Sequence, residues 1–165
     1  MIQKKICILG AAGVGKTSLT AQFVYSKFSE KYLSSMGVKI DKKVVDVDNT
    51  QVNLMIWDVH GEEKYKKIPT SYLRGASGIL MVIDGTRLDT ATVAEDIHQR
   101  VRDALGDIPI IYLLNKSDLQ DAWSIGDDLM QQLESLNQPV FLTSAKTGDN
   151  VEAAFTAIAK AMLPT

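Results

Sequence analysis

A glycine-rich stretch near the start of the chain constrains the fold more than any other feature of the sequence. Residues 10–17, Gly-Ala-Ala-Gly-Val-Gly-Lys-Thr, fit the pattern G-x-x-x-x-G-K-[ST] of a phosphate-binding loop. Residues 5–9 before it, Lys-Ile-Cys-Ile-Leu, are typical of a short buried strand, and residues 18–24 after it favour a helix. In this order, inward-pointing backbone N–H groups and the positive end of the helix form a cradle for phosphate. The sequence therefore predicts a nucleoside triphosphate site here.

Two side chains of this loop have predicted roles of their own. Lys16 reaches the β- and γ-phosphates as a point charge, and the Thr17 hydroxyl is placed to hold Mg²⁺. The nucleotide-binding residues expected from this loop are Gly13, Val14, Gly15, Lys16, Thr17 and Ser18. The loop alone does not define the base, nor whether the phosphate is transferred or hydrolysed.

Length, charge and cysteine content narrow the class of protein. The chain has 165 residues and a net charge of −2, which predicts one domain over residues 1–165 and no global attraction to nucleic acid or an anionic membrane. The single cysteine, Cys7, lies in the predicted first strand and is expected to be buried. No apolar run approaches the ~20 residues of a membrane span, and the sequence given carries no lipid-anchor motif. We therefore expect an unanchored cytoplasmic protein.

Apolar runs alternate with helical patterns along the chain, which favours an α/β fold with a mostly parallel sheet. Residues 38–47 and 52–57 are predicted strands, and the turn between them is too short for a helical crossover, so they are expected to form an antiparallel hairpin. Three more strands are predicted at 78–84, 109–114 and 139–143.

Three later helices are predicted from apolar residues that recur at helical spacing. Their expected buried stripes are Val93, Ile97, Val101 and Leu105 in the first, Ile125, Leu129, Leu133 and Leu136 in the second, and Val151, Phe155, Ile158 and Met162 in the third. Ser124 and Asp127 form a capping-box pattern that predicts the start of the second.

Ligands of open α/β sheets bind at the carboxyl ends of the strands. This rule predicts that the loops after Leu9, Trp57, Leu114 and Thr143 converge. Besides the phosphate loop, they contain Asp58-Val59-His60-Gly61, Asn115-Lys116-Ser117-Asp118 and Ser144-Ala145-Lys146.

With these four loops the chain resembles the Ras superfamily of small GTPases, whose D-x-x-G, N-K-x-D and S-A-K motifs follow the phosphate loop in the same order. The resemblance runs from about Lys5 to about Met162, and the segments 35–38, 54–58 and 71–76 are most similar to the Rab branch. It implies a three-layer P-loop GTPase fold with a six-stranded, mostly parallel sheet, one antiparallel strand and about five helices. It also implies a guanine-nucleotide switch that hydrolyses GTP slowly to GDP, with Mg²⁺ as cofactor.

The resemblance assigns the base to the later loops. Asp118 would accept two hydrogen bonds from guanine, a pair that adenine cannot offer. Asn115 would meet the other edge of the base, and the stem of Lys116 would cover the ring. Ser144 would orient Asp118, and the Ala145 N–H would donate to the guanine O6. The base loop ends at Lys146, which the family pattern also places at the nucleotide.

The resemblance places two switch segments around the phosphates. Asp58 would act on Mg²⁺ from its second shell, and the Gly61 N–H would contact the γ-phosphate. In the first switch, Ser35 holds the position of a threonine that ligates Mg²⁺, and Tyr32 would lie over the phosphates. Phe28 should pack against the edge of the guanine.

The second switch departs from the family pattern Asp-Thr-Ala-Gly-Gln-Glu. The glutamine that orients the attacking water is replaced by Glu62, and the alanine before the glycine by His60. An ionised Glu62 offers only acceptors and is repelled by the γ-phosphate. The resemblance leaves Lys16, His60, Gly61 and Glu62 as candidate catalytic residues. Two alternatives stay open: slow hydrolysis that depends on Glu62, and a GTP/GDP-binding module with little or none.

Partners are expected at both switches. Effector, exchange-factor and activating proteins would bind through Ser26–Gly37 and Asp58–Arg74. The first switch contains no arginine, so a cis arginine finger of the heterotrimeric type is not expected and one supplied in trans would accelerate hydrolysis. Lys64, Lys66 and Lys67 form a basic cluster that is either a solvated face or a docking patch for an acidic partner. A third hypothesis, a P-loop kinase or ATPase, is disfavoured by the Asn115–Asp118 motif.

Overall fold

The computed structural model describes residues 1–28, 37–62, 67–136 and 138–164. These residues form one six-stranded sheet with the strand order β2-β3-β1-β4-β5-β6. The strands are β1 (Ile2–Gly10), β2 (Val38–Val47), β3 (Thr50–Val59), β4 (Gly78–Asp84), β5 (Ile110–Asn115) and β6 (Val140–Leu142). Every neighbouring pair is parallel except β2 with β3.

Four α-helices cover the sheet in the described part of the chain: α1 (Lys16–Tyr25), α2 (Asp89–Leu105), α3 (Asp127–Glu134) and α4 (Val151–Ala161). Two short 3-10 helices, Thr70–Leu73 and Gln120–Ala122, complete the described helices. About five helices were expected. None of the helices in this part of the chain is long and apolar enough to cross a membrane.

Two hydrophobic cores, one on each face of the sheet, give the molecule three layers. On one face α1 and α4 pack together, with the rings of Phe23 and Phe155 stacked at 4.0 Å between centroids. On the other face the apolar stripe of α2 and Leu133 of α3 cover the sheet. The central strands β4 and β5 are buried along their whole length, as their continuous apolar sequence predicted.

The predicted hairpin is present and is tighter than expected. Val47 pairs with Thr50, so only Asp48 and Asn49 form the turn. Both have positive φ, 48° and 66°, as a type I′ turn requires, and Asp and Asn tolerate this conformation better than most residues. The second strand therefore begins two residues earlier than the sequence indicated.

The predicted start of α3 is wrong. The helix begins at Asp127 after Gly126, and no side chain caps it. Ser124 is instead held by the loop after β4: its N–H donates to the Gly85 carbonyl at 2.7 Å and its hydroxyl to the Thr86 carbonyl at 3.4 Å. These bonds keep the chain out of the helix until Gly126, so Ile125 is buried ahead of the helix. At the other end the helix stops at Glu134, and Leu136 lies exposed beyond it.

Candidate functional site

The phosphate loop joins β1 to α1 at the carboxyl edge of the sheet, and its glycines are required there. Gly15 has φ 106°, and a Cβ at this position would lie 2.2 Å from the Asn115 amide nitrogen. That amide donates to the Val14 carbonyl at 2.9 Å. The loop after β5 is therefore hydrogen-bonded directly to the phosphate loop, and any side chain at position 15 would displace the Asn115 amide and break this bond.

Lys16 is buried inside the curl of this loop. Its ammonium donates to the Ala11 carbonyl at 3.0 Å and approaches the Gly10 carbonyl at 3.5 Å. Burial lowers the pKa of Lys16 to about 8; the nearby Asp58 carboxylate opposes this shift and the Arg87 guanidinium adds to it. A buried cation held by backbone carbonyls within a phosphate-type loop gains strongly from a polyanionic ligand.

Oxygen donors suited to a divalent cation lie beside Lys16. The Thr17 hydroxyl donates to Asp58 Oδ2 at 2.7 Å, and Asp58 Oδ1 is buried without a hydrogen-bond partner. Burial raises the pKa of the Asp58 carboxyl. An orphaned carboxylate oxygen next to a hydroxyl fits Mg²⁺, which takes one or two protein ligands and completes its shell with phosphate oxygens and water. The described residues contain no cluster of three or more His, Cys, Asp or Glu that could hold a metal without a ligand's help.

The loops after β5 and β6 form the second half of the candidate site and are joined by side-chain hydrogen bonds. Ser144 donates from its hydroxyl to Asp118 Oδ1 at 2.8 Å, as expected for a residue that orients this carboxylate. Thr143 donates to Asn115 Oδ1 at 3.2 Å, and Lys116 donates to the Gly13 carbonyl at 3.1 Å. The loops after β5 and β6 and the phosphate loop are thus one hydrogen-bonded unit.

Asp84, at the end of β4, also belongs to this unit, although it is not among the site residues predicted from the sequence. Its buried carboxylate pairs with Lys116 Nζ at 2.8 Å and with Arg87 Nε at 3.1 Å. Burial alone would raise the pKa of Asp84, but hydrogen bonds from Lys116 and Thr86 and the Lys116 charge hold it below its usual value. Arg87 in turn donates to the Ala12 carbonyl at 2.8 Å. The signal was present, because Asp84 ends a predicted central strand at the same edge of the sheet.

The start of the second switch lies against the phosphate loop. A Cβ on Gly61 would be 2.3 Å from Ala12 Cα, so only glycine fits. Glu62 extends this contact with two backbone hydrogen bonds, from its N–H to the Gly10 carbonyl (3.0 Å) and from the Ala12 N–H to its own carbonyl (3.2 Å). The main chain of 61–62 is therefore at the phosphate site.

The side chains of His60 and Glu62, in contrast, bond to groups outside the phosphate loop. His60 is buried, its Nδ1 lies 3.0 Å from the Gly37 carbonyl, and its Nε2 has no hydrogen-bond partner. Since a carbonyl only accepts, we infer that Nδ1 carries the proton. The Glu62 carboxylate is buried against α2, where it contacts the Arg100 guanidinium and accepts from the Ile68 N–H at 3.1 Å.

The remaining candidates are placed as follows. Phe28 is partly exposed, Ala145 is buried and Lys146 is exposed. Tyr32 and Ser35 lie outside the described residues, as do Lys64 and Lys66 of the basic cluster. Lys67 is described, and its ammonium faces Glu62 (3.7 Å) and Asp96 (3.4 Å) of the same molecule.

Comparison with known proteins finds similarity along nearly the whole chain. The model of a family described as Ras family matches residues 5–164. The Ras-related protein Rab-1 of Theileria annulata is 38% identical over 161 residues, which cover 96% of this chain and 73% of the relative. The Ras-related protein SEC4 of Saccharomyces cerevisiae is 34% identical over 157 residues, 94% of this chain and 73% of the relative.

Proposed function

Because the chain belongs to the Ras family of small GTPases, we propose that the loops converging on its phosphate loop are its guanine-nucleotide site. As a member of this family it is a molecular switch that binds GTP and hydrolyses it to GDP and phosphate. The alternative of a binding module without hydrolysis is not favoured. The observation that carries the site assignment is the Asn115 bond to Val14, which joins the base loop to the phosphate loop.

In the proposed site, Asp118 reads the base. Its carboxylate, oriented by Ser144, accepts from the N1–H and the exocyclic amine of guanine, while the Ala145 N–H donates to O6. Lys116 covers one ring face with its stem and Phe28 packs against the ring edge; Lys146 completes the loop. Asn115 acts mainly through the loops it ties together. Adenine lacks the matching donors and would cover the Asp118 carboxylate without pairing it, which is costly.

The phosphates are proposed to lie in the cradle of residues 13–18. Lys16 neutralises the β- and γ-phosphates, and the Gly61 N–H contacts the γ-phosphate from the second switch. Thr17 and, from the first switch, Ser35 would ligate Mg²⁺, and Asp58 would act on the metal through its second shell. Tyr32 would cover the phosphates. Mg²⁺, when bound, supplies positive charge that offsets the charge of the β- and γ-phosphates.

Hydrolysis is proposed to use the charge of Lys16, the Gly61 N–H and a water oriented by Glu62 after its carboxylate leaves α2. The family pattern places position 60 beside that water, whereas the His60 side chain lies against the Gly37 carbonyl in this structure. Glu62 replaces a residue that both donates and accepts, so it can only accept from the water. We therefore expect intrinsic hydrolysis to be slow, and an activating protein to accelerate it by supplying a cation in trans.

The wider role is proposed from the family. Effector, exchange-factor and activating proteins would bind the Ser26–Gly37 and Asp58–Arg74 segments, whose conformation follows the nucleotide. We propose a single GTPase domain over residues 1–165 that works in the cytoplasm and does not bind nucleic acid. A P-loop kinase or ATPase, the other enzyme class considered, would not need a loop that recognises guanine.

Competition binding tests the site assignment. A fluorescent GDP analogue bound with Mg²⁺ should be displaced by GTP and GDP at stoichiometric concentrations and not by ATP in large excess. ATP displacing the analogue as well as GTP does would refute guanine specificity and revive the kinase or ATPase alternative.

A further inference from the structure

Helix α2 contacts the second switch through two charged side chains: Asp96, which pairs with Lys67 at 3.4 Å, and Arg100, which pairs with Glu62. The Arg100 guanidinium contacts Glu62 Oε1 and, at 3.1 Å, Asp96 one turn earlier on the same helix. The Asp96 pair orients the guanidinium toward the switch. The Arg100 guanidinium is therefore already oriented to bind the carboxylate of Glu62, the residue whose backbone lies at the phosphate loop.

The Glu62 carboxylate is well satisfied in this position. Oε1 accepts from Arg100 and from the Ile68 N–H, while Oε2 faces Lys67. The side chain is 3% exposed. A buried carboxylate with a charged hydrogen bond is held strongly, since leaving would strand the guanidinium and the amide.

The main chain of Glu62 is fixed at a different place, on Gly10 and Ala12 of the phosphate loop. Backbone and carboxylate of one residue thus belong to two separate contacts. The backbone bonds to the phosphate loop do not involve the carboxylate, so release of the ion pair with Arg100 leaves them in place.

Electrostatics favours the α2 position. A carboxylate close to a γ-phosphate is repelled, whereas at α2 it meets a guanidinium. The equilibrium between the two positions of the Glu62 carboxylate depends on the interaction energy at each position, and at α2 the main favourable contact is with Arg100.

We propose that Arg100 is a positioning residue for GTP hydrolysis: it holds the Glu62 carboxylate on α2, and hydrolysis waits for release of this ion pair. The proposal rests on the proposed role of Glu62 at the attacking water. Arg100 touches no reacting atom. A partner that drew the guanidinium away, through an acidic group of its own, would accelerate hydrolysis without contributing an arginine.

The test is single-turnover phosphate release from the GTP-loaded chain with excess Mg²⁺, comparing Arg100→Met, Glu62→Ala and the double variant. Arg100→Met keeps the stem and removes the charge; we expect release to accelerate by about tenfold, the shift expected for losing one charged hydrogen bond. The acceleration should vanish in the double variant. Arg102→Met is the matched control: Arg102 on the same helix bonds the carbonyls of Gly106 and Ile108 and should leave the rate unchanged.

Hydrogen exchange at the Ile68 amide reports the carboxylate position without using activity. This N–H donates to Glu62 Oε1, so Arg100→Met and Glu62→Ala should both expose it to faster exchange, and Arg102→Met should not. Arg100→Lys, which keeps a charge, should be intermediate in both measurements and guards against a poorly folded methionine variant.

An unchanged or slower rate in Arg100→Met, with GTP affinity intact, would overturn the proposal. So would an acceleration that persists when Glu62 is also alanine. Failure of the proposed function has a different signature, because then the parent chain itself would release no phosphate from bound GTP.

Discussion

In the proposed site, the choice of base rests on one carboxylate and the hydroxyl that orients it. Ser144 is buried and donates to Asp118, so its hydroxyl orients this carboxylate for the position proposed for guanine. One oxygen, Oδ1, already accepts from Ser144, and each carboxylate oxygen has a second lone pair for the base. Specificity at this site is thus a matter of matched donors and acceptors held in fixed geometry.

Exchanging this carboxylate for an amide should change the preferred nucleotide. In Asp118→Asn one acceptor becomes a donor, which opposes the amine of guanine and suits the 2-oxo group of xanthine. We expect GTP affinity to fall by about 100-fold and xanthosine triphosphate to bind better than GTP. Competition titrations against a fluorescent nucleotide measure both. Asp121→Asn, the same change at an exposed position nearby, is the control, and unchanged GTP affinity in Asp118→Asn would remove Asp118 from the base site.

At the scale of elements, strands were predicted best. β4 matches its predicted range because a fully buried strand is a continuous apolar run in the sequence. The convergence of the phosphate and base loops was also predicted, since the carboxyl-end rule depends only on strand direction. The start of α3 was not predicted correctly. Ser124 bonds to the loop after β4, and a contact with a distant segment cannot be inferred from the local sequence pattern.

The position of the Glu62 side chain could not be predicted either. Its partner Arg100 is 38 residues away in the sequence, on the exposed side of a helical pattern. Alignment with the family motif places the backbone of Glu62 correctly at the phosphate loop. It carries no information on the direction of a side chain whose chemical type differs from the family's.

Truncating two leucines tests the corrected end of α3. Leu133, inside the helix, is buried, whereas Leu136, beyond it, is 42% exposed. Leu133→Ala should lower the free energy of unfolding by about 2–4 kcal/mol, and Leu136→Ala should change it by less than about 0.5 kcal/mol. Urea unfolding at saturating GDP measures both. Equal losses in the two variants would restore the longer helix that the sequence indicated.

At the scale of the whole molecule, the proposed role of Lys16 links folding, nucleotide binding and proton binding. The chain is slightly acidic, yet its phosphate edge gathers cations, with Lys16 buried at the centre and Arg87 beside it. Burial opposes the charge that the ligand requires, so the folded chain holds this proton less tightly than the unfolded chain does. Nucleotide that binds only the folded state stabilises it by mass action and returns the proton to Lys16.

This linkage predicts how nucleotide affinity changes with pH. With a pKa of about 8, lowered mainly by burial, Lys16 loses its proton above that pH in the nucleotide-stripped protein, and the phosphates must recruit one on binding. GDP affinity should therefore fall by about fourfold between pH 7 and pH 8.5, with proton uptake approaching one proton per site. The same depressed pKa means that the stability of the stripped protein rises with pH from about 8 toward 10.5, because there the unfolded chain binds more protons.

Calorimetric titration of GDP with Mg²⁺, in two buffers of different ionisation enthalpy, measures affinity and proton uptake together. Lys42→Met, at an exposed position on β2, should leave the pH dependence unchanged. Affinity that is constant over this range, with no proton taken up, would mean that Lys16 is already fully charged before the nucleotide arrives.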